Sequence, residues 1–114
     1  MDKSLTPQAV EHCHQLLLWL IPQLDKFPRD RRFTLGERLE TRLLHVLELL
    51  VAATYTTEKT HLLKQANQEL EVIRHLWRLC HELQIINTRR YEYGSNLLLA
   101  LGKQVGGWFK ASRS

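Results

Sequence analysis

Glycine and proline are scarce in this chain, five and three among 114 residues. Helix breakers are therefore few, and no linker, low-complexity tract or internal repeat divides the chain. Two cysteines, Cys13 and Cys80, are too few for a disulfide framework. Both fall on apolar helical faces, which predicts buried thiols and a reduced, cytoplasmic setting. The longest apolar run, LLLWLI at residues 16–21, is far shorter than the roughly 20 residues a membrane span needs. The opening MDKSLTPQAVEHCHQ has no apolar stretch of signal-peptide type. No alternating pattern of apolar and polar residues points to a strand.

Catalytic signatures are missing as well. The six histidines form no HExxH motif, and the one ExxH spacing, Glu58 to His61, has no second copy to complete a di-metal site in a bundle. His12 and His14 flank Cys13, but neighbours on a helix point in different directions. The glycines near the C-terminus follow no strand and precede no GK[ST], so they make no phosphate loop. Sheet-type RNA-binding aromatics are absent with the sheet. These gaps predict a non-enzyme with no metal and no cofactor; the rival is a stand-alone bundle enzyme or metal carrier, which metal analysis of the purified protein would discriminate.

What remains is leucine-rich and helical. Hydrophobic residues are 44% and charged ones 25%, a globular balance that excludes disorder, and the length fits one domain over residues 1–114. Thr6-Pro7 predicts the start of a first helix with Val10, Cys13, Leu17, Leu20, Ile21 and Leu24 on its buried stripe. Pro22 lies inside that stripe and predicts a kink, and Phe27-Pro28 ends the segment. A second helix is expected from about Thr34, with Leu35, Leu39, Leu43, Val46, Leu47 and Leu50 inward. A third spans about Thr57 to Leu83, and a fourth runs from Asn87 or Thr88 to about Lys110. Short connections between long amphipathic helices predict an all-α, up-down-up-down antiparallel four-helix bundle.

Two helices carry more than a bundle needs. On the third, Leu70, Val72, Ile73, Leu76, Trp77, Leu79, Cys80 and Leu83 fill an arc of about 180°, where one core needs a stripe of ~100° or somewhat more. A heavily buried central helix and a subunit interface both account for the excess. The opposite arc holds Arg74 and Arg78, one turn apart, with Glu71 and Glu82 at pairing distance in sequence. On the fourth, Gly102 and Gly106 share a face that would admit a close helix, and Trp108 and Phe109 follow to cover a bundle end or enter a neighbouring chain.

The formal charge of +4 is unevenly spread. Residues 26–42, within KFPRDRRFTLGERLETRL, hold six basic side chains against three acidic, and residues 72–114 hold seven against two. The segments before and between them are acidic. A face where two basic segments converge is the footprint of nucleic-acid binding; an ordinary solubilising surface gives the same count. Charge alone leaves both readings open for Lys26, Arg29, Arg31, Arg32, Arg74 and Arg78.

The order and spacing of several stretches carry a resemblance. LLLWLIPQLDKFPRDRRFTLGERL at 16–39 looks like the first hairpin of the bacterial four-helix bundle protein superfamily. Pro22, Phe27-Pro28-Arg29, the TLGERL helix start, LEVIRHLWRL and VGGWF together resemble the accessory variability determinant (Avd) proteins of diversity-generating retroelements, over about residues 10–111. The resemblance implies a non-catalytic bundle that assembles into a barrel-shaped homopentamer with a basic surface. It implies partnership with an error-prone reverse transcriptase and with RNA or DNA, in support of adenine-mutagenised cDNA synthesis. It places Arg74, Arg78, Pro28 and Arg29 at positions matching the family's basic helix and first loop. The rest of the basic loop, Lys26, Arg31 and Arg32, then fits a positively charged rim. Some relatives carry a longer basic tail where this chain has KASRS. The alternative within the superfamily is the ribosomal RNA intervening-sequence type, with a general RNA-binding or scaffolding role.

Overall fold

The computed structural model describes residues 7–113. Among them are four long helices and no strand: α1 (Gln8–Leu24), α2 (Glu37–Thr54), α3 (Thr60–Glu82) and α4 (Thr88–Ser112). The molecule measures 43 × 27 × 22 Å, and at about 1.5 Å per residue α4 alone spans most of the long axis. No described helix is long and apolar enough to cross a membrane.

Each helix buries one face in a single core. α1 contributes Ala9, Cys13, Leu16, Leu17, Leu20 and Leu24, so Ala9 and Leu16 replace the expected Val10 and Ile21, which are half-buried. Pro22 is accommodated within α1, and Pro7 stands just before the helix rather than in its first turn. The cap expected from Thr6 lies outside the described residues. α2 buries Leu39, Leu43, Val46, Leu49, Leu50 and Ala53, while Leu35 and Leu47 sit at the edge. Trp108 and Phe109 pack partly buried against the core, with the Lys59 ammonium 5.5 Å from the Trp108 ring centroid.

The entry to α2 departs from the sequence expectation. Helical backbone begins at Arg29, not near Thr34: an α turn at Arg29–Arg31 leads into a π turn at Arg32–Gly36, which runs on into α2. Pro28 supplies the reason. Its fixed φ of −53° presets the entry, and its carbonyl accepts from the Arg31 and Arg32 amides, both at 2.8 Å. Asp30 in that first turn favours the helix N-terminus. Phe27 is buried beneath this turn, its ring against Gly36.

Contacts between helix ends fix the arrangement. Arg90, near the start of α4, donates to the Gln23 side chain at 3.0 Å and to its carbonyl at 3.2 Å, near the end of α1. Thr60 at the start of α3 meets Ser112 at the end of α4, 3.0 Å between hydroxyls. The exit from α3 is a Schellman turn: the Ile85 amide reaches the Cys80 carbonyl and the Gln84 amide the His81 carbonyl, each at 2.9 Å. Gln84 takes the left-handed position there, φ 62°, where glycine is usual. As expected, Asn87 caps α4, its side chain accepting from the Arg90 amide at 2.8 Å.

Of the five glycines, Gly94 makes the closest approach to a neighbouring side chain, whereas the small-residue face is expected from the sequence at Gly102 and Gly106. A Cβ at Gly94 would lie 2.7 Å from the Trp77 ring. At Gly102, Gly106 and Gly107 a Cβ would meet nothing among the described residues, so no described helix packs closely on the small-residue face of α4. Gly94→Ala is therefore expected to destabilise by about 1–3 kcal/mol through overpacking. Gly102→Ala should raise stability by up to ~1 kcal/mol through helix propensity, unless that face packs against another subunit. Chemical denaturation of both variants reads the contrast.

Both thiols are buried and unpaired. Burial pushes Cys13 from 9.0 up to about 12 and Cys80 up to about 11. A raised folded pKa gives stability that is complete below the unfolded value and lost as pH rises through the folded one. Stability should thus fall above about pH 9, reaching its alkaline limit near 11–12. A thiol reagent at pH 8 should label neither cysteine in the native protein and both after denaturation.

Candidate nucleic-acid interface

The bond from Arg90 to Gln23 brings the first basic segment and the start of α4, which belongs to the second, to one end of the bundle. Lys26, Arg29 and Arg31 are exposed on the first connection and the turn after it, and none has an ion-pair partner among the described residues. Arg89, exposed in the first turn of α4, joins them there. Sequence reasoning counted Arg89 within a basic segment without singling it out. Its signal was its place two residues after the Asn87 cap.

Arg32 has a different occupation. Its side chain is 24% exposed, and one terminal nitrogen lies 3.3 Å from an Asp25 oxygen and 3.4 Å from a Glu40 oxygen. It ties the end of α1 to the start of α2, so less of its charge is directed outward than its position in the basic run implies.

Arg74 and Arg78 project from α3 as the spacing predicts, each beside a carboxylate. Arg74 donates to Glu71 at 3.0 Å, and Arg78 donates through Nε to Glu82 at 2.7 Å. The hydrogen bond and charge of Glu82 raise Arg78 further above its ordinary value, and Arg78 in turn holds Glu82 below the carboxylate range. Both arginines remain largely exposed, so water and salt compete for these carboxylates. Arg74 also lines a groove of about 250 Å³ between α3 and α4 with Asn67, Leu99, Gly102 and Lys103. Lys103 is a second cation that sequence reasoning did not single out.

The wide apolar arc of α3 divides in two. Leu70, Ile73, Trp77 and Cys80 face inward, Leu76 is half-buried, and Val72, Leu79 and Leu83 are exposed. The chain's own core does not use the excess. Among the described residues, no group of three or more His, Cys, Asp or Glu side chains comes together as a metal site would require.

These positions give a clear expectation for folding. The pairs at Arg74 and Arg78 are solvent-screened and touch no core residue's buried polar atom, so Arg74→Ala with Arg78→Ala should leave the helical circular dichroism signal and the unfolding midpoint nearly unchanged. Arg32→Ala, which releases two carboxylates at once, should lower the midpoint more than either.

Neither a curated protein nor a solved structure matches this chain. The model of the bAvd-like family matches residues 8–112, from the first residue of α1 to the last of α4. That span takes in every described helix and both basic connections, and the chain belongs to the bAvd-like family.

Proposed function

We propose that the protein is a non-catalytic accessory subunit of a diversity-generating retroelement. It binds the element's reverse transcriptase and its template RNA or cDNA through exposed basic side chains, and acts in the cytoplasm. The observation that carries the reading is the gathering of Lys26, Arg29, Arg31 and Arg89 at one end of a bAvd-like bundle, beside Arg78 one turn from the end of α3. Family membership supports the retroelement context; the unpaired guanidinium groups support phosphate as the ligand chemistry.

In this reading the helices run up-down-up-down, the order that brings the first and third connections to the same end. The chains assemble as a homopentamer. The exposed Val72, Leu79 and Leu83, together with the open glycine face of α4, supply surfaces for the seams. Five copies of a +4 chain carry a formal charge of about +20, and a ring repeats each basic end around its axis, focusing attraction for phosphates. The polymerase performs the chemistry.

Light scattering should give about five times the 13.5 kDa chain mass, and a monomer at micromolar concentration overturns the ring. RNA affinity should fall steeply between low and physiological salt because counterion release drives binding. Arg74→Ala with Arg78→Ala should weaken RNA binding and capture by the genome-adjacent reverse transcriptase while assembly persists. Arg29→Ala with Arg31→Ala is the cleaner comparison at the first connection, since neither residue holds the fold. Wild-type binding by both double variants removes the basic surfaces from the mechanism.

A further inference from the structure

A groove of about 590 Å³ lies beside the basic turn and is absorbed by neither the core nor the α3 arginines. Phe33, Thr34, Glu37, Arg38, Thr41, Arg42, His45 and Glu69 line it. Its volume falls in the range that holds small ligands. Two features set it apart from an ordinary solvated helix face.

The first is Phe33. Its side chain is 65% exposed although it is aromatic and sits on an ordered turn. The π turn that carries it is the one irregular helical segment in the molecule's described residues, and such turns recur at functional sites. The Thr34 hydroxyl donates to the Asp30 carbonyl at 3.0 Å, which braces the segment from within. The Arg32 guanidinium lies 6.0 Å from the Phe33 ring centroid, a cation set against an aromatic ring whose surface is otherwise open.

The second is the distribution of charge along the wall. Glu69 is already engaged: Arg42 donates to it at 2.8 Å, and His45 Nδ1 lies 3.3 Å from its other oxygen. That pairing stiffens the far wall and removes most of its negative charge. Arg38 is exposed and has no ion-pair partner among the described residues, and Arg31 and Arg29 stand just before Phe33 in the chain. An open aromatic ring in one groove with an unpaired guanidinium, here Phe33 with Arg38, is an arrangement that holds a single-stranded nucleic acid, the ring stacking a base and the cation meeting the backbone. A duplex would not use the ring, because its bases already stack on one another.

We infer that the Phe33 groove holds one unpaired nucleotide of an RNA strand, with the base stacked on Phe33 and a flanking phosphate on Arg38. The inference rests on the proposed RNA-binding function and adds to it a specific subsite and a preference for single strands. Glu37 and Thr41 offer an acceptor and a hydroxyl to the base edge.

The test compares Phe33→Ala, Phe33→Tyr and Arg38→Ala in the full-length protein, using a short unstructured RNA, a strand of equal length and charge that lacks bases, and the purified reverse transcriptase. Phe33 is largely exposed, so these substitutions leave the core intact, and circular dichroism checks this. Phe33→Ala should weaken binding of the base-bearing RNA by about 5- to 150-fold, the loss expected for one stacked base, and leave the abasic strand unaffected. Phe33→Tyr should bind as wild type does, and Arg38→Ala should weaken both strands. Wild-type RNA that binds tightly yet ignores Phe33→Ala overturns the groove alone. Loss of polymerase capture with RNA affinity intact also overturns it, by making the groove a protein dock. Wild-type protein that binds no RNA at all overturns the proposed function itself.

Discussion

The contact between Trp77 and Gly94 governs how the bundle closes. Trp77 is the largest fully buried side chain, and the edge of its indole that carries the nitrogen lies so close to α4 that only a residue without a Cβ fits opposite. Its indole nitrogen donates to the Tyr91 carbonyl at 3.1 Å, which satisfies the one polar atom that burial would otherwise strand. Its edge meets Trp19 of α1, with centroids 6.0 Å apart. One side chain thus joins three helices by shape, by a hydrogen bond and by ring packing. Those constraints fix how far α4 lies from α3, and hence where Arg89 and Arg90 stand relative to the end of α1.

The charged residues divide into those that hold this frame and those that project from it. Arg32, Arg42 and Arg90 are committed to partners on other elements, Asp25 and Glu40, Glu69, and Gln23 respectively. Arg74 and Arg78 pair only with neighbours on their own helix, in water. Lys26, Arg29, Arg31, Arg38 and Arg89 are exposed and outside any ion pair among the described residues. A basic run in sequence therefore mixes two kinds of arginine. Adjacent positions such as Arg31 and Arg32 differ because only one of them turns toward carboxylates brought in by α1 and α2.

Periodicity made the four helices legible, and capping chemistry located the start of α4 at Asn87. The acid–arginine pairs on α3 were legible for the same reason, since both lie within one helix. Features that depend on two elements meeting were not. Gly94 reads as a weak point in a helix until Trp77 is set opposite it. Ala9 and Leu16 belong to the core because α1 is rotated slightly from the phase that its larger apolar residues suggest. The groove at Phe33 arises from α2 and α3 together, and its π turn leaves no mark in the hydrophobic pattern. Arg89 was hidden for a different reason: it is carried to the first connection by the bond of its neighbour Arg90 to Gln23, far away in the chain.

The π turn at Arg32–Gly36 holds one residue more than the path it covers requires. Such a turn takes one more residue than an α turn to cover the same arc. Removing a single residue from it would therefore let regular helix run through with the Arg29–Arg31 turn still in its present direction. The same deletion inside α2 would turn everything before it by about 100° around the helix axis. The direction in which the first connection presents its cations thus tolerates a change of length in the π turn and does not tolerate one in the helix that follows.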